Sequence, residues 1–589
     1  MKKLFLFILM MLFLATCSSS SDLTAPQFAG VKSAVGSSMT SIMLSWDPAV
    51  DDFTPAAELR YLIYYSTSSG GETFSHYSEI SDPGATSFEV TGLDVNTDYY
   101  FVVRGRDGAG NSDSNTVEMK ARGLAPVLHE PSNITTASMD LTWDLYDKAD
   151  FASYSLHRGT EEGFTPNDSN LIGSWTDSNT VTFSDTGLTE ATTYYYIVVL
   201  RNLDEQDVKG DEVRATAINP TGFQGIISGN VVWGRGNSPV LLTGDLKIAI
   251  TGKLTIDPGV TVRSNTTDAA DLGVDANKIA VIVEGVLNLS GTELENINFT
   301  SSSASPTRND WWGFYFLPSG SNASVLNRVN VSYSGNGLQI QGISPSIENV
   351  VLDNNGSGVT GRTFSAYGGS NSNITNCIVR NSNQTGFYFE YYNGTATNLT
   401  SENNDLGFHI SASDGLSITN IHSTNCTEGL RMSGDENMVV TVGNSTFENS
   451  TGNGINIVEG IGIIDHSTVS NSGGVGIYID EDASLELRNS IVSGSASYGV
   501  RGGGNPLTSR NISLSDSNIT SNGSYAVSAN GADYNVNLTR LFISGNNGAS
   551  GVDSFTSHPN SSSIPPQYEN VDLVISPQSS AVTGAGDPD

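Results

Sequence analysis

The chain has 589 residues, 62 of them Gly and only three Cys, and its formal charge is −35 at pH 7. A polyanion of this kind repels nucleic acid and anionic lipid, and so few cysteines leave stability to packing rather than to disulfides. Abundant Gly, Ser, Asn and Thr with little Lys suits a turn-rich, all-β protein.

Residues 1–17 read as an export signal, because Lys2 and Lys3 precede an apolar run from Leu4 to Ala15 that ends Leu14-Ala15-Thr16-Cys17. That run is shorter than the ~20 residues of a membrane-spanning helix. Its last four residues resemble the lipobox of bacterial lipoproteins, which implies that the Cys17 thiol is acylated and becomes the mature N-terminus. An ordinary signal peptide with a chance Cys is the alternative. Residues 18–24, opening with four serines, read as a flexible tether. Because no Asp follows Cys17, the resemblance extends to lipoproteins sent to the outer membrane. It implies a protein anchored at the outer membrane or cell surface, touching the membrane through its lipid alone.

Two segments, 25–121 and 122–219, alternate apolar and polar residues in short runs, as in Ile42-Met43-Leu44-Ser45-Trp46 and Tyr61-Leu62-Ile63-Tyr64-Tyr65. Such alternation predicts half-buried antiparallel strands. Both segments place a Trp at the end of an early strand (Trp46, Trp143) and a Leu six residues before a Tyr (Leu93 and Tyr99, Leu188 and Tyr194). A Tyr there can bury its ring and return its hydroxyl to the backbone. The segments resemble fibronectin type III domains, with Thr-Gly-Leu-Asp-Val-Asn-Thr-Asp-Tyr-Tyr (91–100) and Asp-Thr-Gly-Leu-Thr-Glu-Ala-Thr-Thr-Tyr (185–194) as the clearest stretches. Two β-sandwiches are expected, acting as spacers. The pair Asp51-Asp52 could hold Ca²⁺ with other loop oxygens or could be solvated; no cofactor is otherwise indicated.

Beyond residue 220 the period changes. Asn recurs at five-residue separation, followed by Gly and an apolar-x-apolar triplet: Asn349/Asn354 with Gly358, Asn376/Asn381 with Gly386, Asn398/Asn403 with Gly407, Asn420/Asn425 with Gly429, Asn444/Asn449 with Gly454. The Gly spacing of 21 to 28 residues is too short for helical-pair repeats and matches one coil of a parallel β-helix. Stacked coils would bring the Asn side chains into columns whose amides bond one another, satisfying groups that would otherwise be buried unpaired. Gly would serve where room is short or φ is positive. Cys377 and Cys426 fall in different columns two coils apart, which argues against a disulfide. Leu254 to Val262, Val281 to Leu287 and Asn309 to Phe316 resemble entrance coils of pectate lyase-like proteins, and Ser580 to Pro588 resembles their exit segment. The resemblance implies a right-handed parallel β-helix over 220–575 with a tail at 576–589.

If each triplet points in, out, in, one exposed column forms: Gln339, Thr360, Tyr388, His409, Arg431, Asn456, Tyr478 and Arg501. Tyr388, His409 and Arg431 would stand at ~5 Å steps, with Glu390 beside them. Aromatic rings can stack on sugars and Arg can bind a carboxylate, so Tyr388, His409, Arg431 and Tyr478 are the candidate ligand-binding residues. His409, Arg431 and Glu390 are the candidates for acid–base chemistry. No Lys follows Lys278, which removes a Lys base from the repeats. Glu390, Asp405 and Asp414 show no metal-ligand spacing, Asp480-Glu481-Asp482 reads as a solvated loop, and Asp465-His466 occupies an Asn position in the ladder. The expected function is presentation of a β-helix for binding glycan or another surface. A polysaccharide lyase or glycoside hydrolase on the same face is one alternative, an inert stalk the other.

Overall fold

The computed structural model describes residues 22–219, 222–273, 275–356, 361–503, 510–529, 534–547 and 574–575. The leader, Cys17, the serines of the tether and the tail 576–589 lie outside the described residues, as do Thr360 and Gly358. No described helix is long and apolar enough to cross a membrane. The chain is all-β and divides into two compact units. One includes residues 22–129, 141–183 and 195–213; the other includes 130–140, 184–194 and the described chain from Arg214 onward.

The first sandwich pairs Ser33–Ser38, Ser41–Ser45 and Ser87–Val90 in one antiparallel sheet, and Glu79–Ile80, Arg60–Ser66, Tyr99–Arg106 and Glu118–Ala121 in the other. The alternation seen in the sequence decides the faces: Ile42 and Leu44 are fully buried and Met43 between them is exposed. Trp46 packs on Tyr61, with ring centroids 5.0 Å apart. Tyr99 is buried and its hydroxyl accepts the Asp94 N–H at 3.1 Å, as expected of that corner. In the second segment Leu171–Trp175, Phe151–Gly159, Thr193–Asn202 and Asp207–Lys209 form a sheet that Val213–Thr216 joins, while Thr182–Thr186 pairs Ser138–Thr142. Trp143 meets Tyr154 and Trp175 at 5.7 and 5.2 Å, and the Tyr194 hydroxyl accepts the Thr189 N–H at 2.9 Å.

From Phe223 the described strands join one continuous parallel arrangement in which each coil adds a strand to three sheets, building a right-handed β-helix. In one coil Leu406–Ser411 lies in the first sheet, and Leu416–Thr424 bends through the second and third. Inward side chains stack by coil: Phe364, Phe387, Phe408, Leu430, Ile455, Ile477 and Val500 are fully buried, and the Phe387 and Phe408 rings lie 5.1 Å apart and nearly parallel. Each such side chain contributes roughly 1.5 to 3 kcal/mol by leaving water.

The Asn columns exist, and their cause differs from the one the sequence suggested. Asn376, Asn398 and Asn420 have φ of 55°, 56° and 54°, and Asn381, Asn403 and Asn425 have 55°, 54° and 54°. Two turns in each coil therefore need left-handed backbone, which L-residues other than Asn and Asp resist. The amides do bond vertically, Asn398 Nδ2 to Asn376 Oδ1 at 3.0 Å and Asn420 Nδ2 to Asn398 Oδ1 at 3.1 Å, yet they are exposed. In one of the two turns, buried groups are satisfied instead by the Ser that follows the left-handed residue. The hydroxyl of Ser467 accepts the Ser445 N–H at 3.1 Å and donates to the Asp465 carbonyl at 2.8 Å, and Ser490 repeats this one coil on. The Gly residues answer to room rather than to φ: a Cβ on Gly454 would stand 2.7 Å from the Gly476 carbonyl oxygen. Cys377 and Cys426 occupy the positions after Asn376 and Asn425 in different turns, and both are buried free thiols.

Candidate functional site

The first sheet brings the proposed column together nearly as expected. Tyr388, His409, Arg431, Asn456, Tyr478 and Arg501 are register partners on successive coils. One member was misassigned. The coil before Tyr388 carries Ser365 in the column, not Thr360, because its strand runs Arg362–Tyr367 and the extra residues precede it.

The column is not an open aromatic face. Tyr388 is only 3% exposed, because the Arg362 guanidinium lies over its ring, 3.3 Å from the centroid. The His409 ring meets its edge at 5.0 Å, steeply tilted. Glu390, two residues along the Tyr388 strand, faces Arg362 at 3.7 Å. Two coils beyond Tyr388, Arg431 bonds Glu428 through two nitrogens, Nε at 3.2 Å and Nη2 more closely. Tyr388, Glu390, His409 and Arg431 therefore share one polar cluster. Tyr478 continues the column two coils beyond Arg431, outside that cluster and beside the backbone of Gly503. Beyond it the Arg501 guanidinium lies 4.8 Å from the Tyr498 ring centroid, and Tyr498 stacks on Tyr525 at 6.1 Å.

Burial sets the protonation states. Desolvation, reinforced by the charges of Arg431 and Arg362, pushes the His409 imidazole down to about 4. At neutral pH it is uncharged, and its Nε2 shares a 2.8 Å hydrogen bond with the Ser433 hydroxyl. Glu428 is pushed above the usual carboxylate range because burial outweighs its bonds to Arg431 and Asn456. Its carboxylate raises Arg431 in return. Asn456 Oδ1 is buried and accepts no hydrogen bond. The arrangement sets a neutral imidazole, two arginine–carboxylate pairs and a buried amide along about 14 Å of the sheet.

Arg362, Glu428, Ser433 and Asn456 were missed or undervalued in the sequence. Arg362 sits behind the coil whose length hid its register, and Glu428 reaches the cluster only because the strand Glu428–Ser433 begins with it. Asp414 serves a turn, accepting the Val439 N–H at 2.9 Å. The Asp480–Asp482 run lies within the strand Ile477–Arg488 rather than in a loop, and Asp482 faces Arg510 at 3.3 Å. His466 takes the left-handed turn position of the Asn column, with φ of 47°. Among the described residues, carboxylates converge in the manner of a cation site at Asp22, Asp51 and Asp107, not on this face.

Comparison with known proteins supplies several likenesses. Exoglucanase B of Cellulomonas fimi is 27% identical over 197 residues, which cover 31% of this chain and 16% of that protein; the chain thus spans under a fifth of that relative's length. Among solved structures, a periplasmic alginate epimerase is 13% identical with a TM-score of 0.32, covering 52% of this chain and 77% of the other. A two-domain fibronectin type III segment of chicken tenascin is 19% identical with a TM-score of 0.17, covering 33% and 98%. Residues 24–120 match the fibronectin type III domain family, so the first sandwich is a domain of that type.

Proposed function

We propose that this chain is an exported, lipid-anchored surface protein that holds polysaccharide against the first sheet of its β-helix, with the sandwiches as spacers. The observation that carries the reading is the cluster around His409, where hydrogen-bonding side chains stand one per coil along the helix axis. Such a row suits a polymer of repeating hydroxyls lying along it. The partial likeness to an exoglucanase supports a polysaccharide setting. Because Tyr388 is covered, recognition rests on polar groups rather than on ring stacking. The test is glycan-array and calorimetric binding by the chain from residue 18. The double variant Glu428→Gln/Arg431→Gln removes the ion pair without leaving one charge buried alone. Binding should fall about tenfold or more in that variant and in Asn456→Ala, which removes a side-chain bond that helps hold Glu428, each lost hydrogen bond costing ~1 kcal/mol or more. Unchanged binding in both would refute the site.

One observation favours a second reading, catalysis on the same face by a polysaccharide lyase or glycoside hydrolase. An unprotonated imidazole, His409, stands on that face between Tyr388 and Arg431, although a value of about 4 makes it a weak proton acceptor at neutral pH. Incubation with diverse polysaccharides, followed by reducing-end release and the ultraviolet absorbance of unsaturated uronates, decides it. Turnover that vanishes in His409→Asn would establish catalysis; no turnover alongside retained binding would leave the binding reading standing.

A further inference from the structure

The first sandwich carries a feature that the polysaccharide face does not use. Asp22 lies ahead of the first strand, Asp51 in the segment between Ser41–Ser45 and Arg60–Ser66, and Asp107 in the turn after Tyr99–Arg106. Each offers a carboxylate oxygen, and the three oxygens lie within 4.8 Å of one another. Asp107 is 6% exposed, taking the N–H groups of Gly110 and Asn111 on Oδ1 and only the Asn111 amide on Oδ2, which keeps a lone pair for a ligand. The same Asn111 amide reaches the Asp22 carbonyl at 3.1 Å. Asp51 Oδ2 accepts the N–H of Phe53 and Thr54, and Asp22 Oδ1 accepts from Thr24.

The remaining oxygens make the case. Asp22 Oδ2 and Asp51 Oδ1 are sealed from solvent and have no hydrogen-bond partner. Two unpaired carboxylate oxygens out of water, beside a third carboxylate, are costly twice over, through desolvation and through like-charge repulsion. A divalent cation removes both costs. All-oxygen ligands on irregular loops suit calcium; zinc favours His and Cys, and magnesium demands a stricter octahedron.

We infer that Asp22, Asp51 and Asp107 bind a calcium ion that ties the segment entering the first sandwich to two of its loops. The pair flagged in the sequence is thereby divided: Asp51 is a ligand, while Asp52 accepts the Thr24 hydroxyl and steadies the same segment. The experiment titrates the chain from residue 18, stripped with chelator, with Ca²⁺ and separately Mg²⁺ by calorimetry, with terbium luminescence as a second probe. One equivalent of Ca²⁺ should bind, with Kd on the order of 10⁻⁴ to 10⁻³ M or tighter, and should raise the melting temperature saturably. Asp22→Asn and Asp51→Asn should each weaken Ca²⁺ and Tb³⁺ binding about tenfold or more while the far-ultraviolet dichroism is kept. Asp22 precedes every strand, so its variant is the one that keeps the fold should Asp51→Asn lose it. Absence of binding, equal binding by Asp22→Asn, or a preference for Mg²⁺ would each overturn the assignment.

Discussion

Replacing Asn398 tests why the β-helix uses Asn at its turns. The residue has φ of 56°, and its amide group makes one hydrogen bond to the coil below and one to the coil above, at 3.0 and 3.1 Å. Ala cannot keep either bond and dislikes the left-handed region by ~1 to 2 kcal/mol. Gly also loses both bonds but adopts that φ freely, its own cost being ~0.4 to 1 kcal/mol of unfolded-chain entropy. The bonds are exposed, so each is worth about 0.5 kcal/mol, the low end of the range. The sums place Asn398→Ala about 2.5 kcal/mol below the parent and Asn398→Gly nearer 1.7. Because coils couple mainly to their neighbours, the sensitive assay is native-state hydrogen exchange at the adjacent Thr400 amide, which donates to the Cys377 carbonyl at 2.9 Å. Protection should fall in the order parent, Gly, Ala. Ala equal to or better than Gly would refute the left-handed-turn argument and leave the amide ladder as the sole reason for the column.

Gly454→Ala should destabilise the β-helix by about 3 kcal/mol in urea unfolding, since the new methyl meets the Gly476 carbonyl; a neutral change would show that the coils can spread. Tyr99→Phe and Tyr194→Phe should each cost ~1 kcal/mol through loss of the bonds from Asp94 and Thr189, read as lower melting temperatures. The pH dependence follows from His409, whose folded value of about 4 lies below its ordinary 6.5. Between those values the unfolded chain takes up a proton that the folded chain refuses, so stability is full above about pH 6.5 and declines as pH falls toward 4. The loss at pH 4 is at most about 3 kcal/mol and should be absent in His409→Asn; an imidazole that titrates near 6.5 by NMR would contradict the burial that causes it.

The repeat was legible because stacking makes a local rule periodic. Five-residue Asn spacing marks two left-handed turns flanking a short strand, and the triplet after each Gly gives the in-out alternation that put Tyr388, His409 and Arg431 in one column. What failed was depth. A position can face outward and still be covered, as Tyr388 is by Arg362, whose coil has a length that the spacing rule does not fit. Charge pairing was equally hidden: Arg431 and Glu428 are three apart within one strand, where alternation alone places them on opposite faces. They meet because Glu428 stands at the strand's first residue, where the N–H groups of Thr427 and Glu428 both donate to the Asp405 carbonyl of the preceding coil and regular alternation has not yet begun. The Asn column was recognised by its bonding and missed for its φ, since vertical bonding is a property of amides that identity suggests and backbone handedness is not.

The pairing also bears on what the face would hold. The chain's excess negative charge acts over distances that salt screens beyond about 8 Å, so selectivity between acidic and neutral polysaccharide rests on local groups. Arg362 faces Glu390 and Arg431 faces Glu428. An acidic sugar would have to displace one of these carboxylates, leaving a half-buried anion beside its own. A neutral sugar needs no such exchange. Neutral polysaccharides are therefore expected to bind the parent protein more tightly than uronate polymers. Glu390→Gln, by freeing the Arg362 guanidinium, should narrow that gap by raising affinity for uronates severalfold at low salt. Direct competition calorimetry with the two polymer classes measures it, and a parent protein that already prefers uronates would show that the carboxylates give way more easily than their pairing implies.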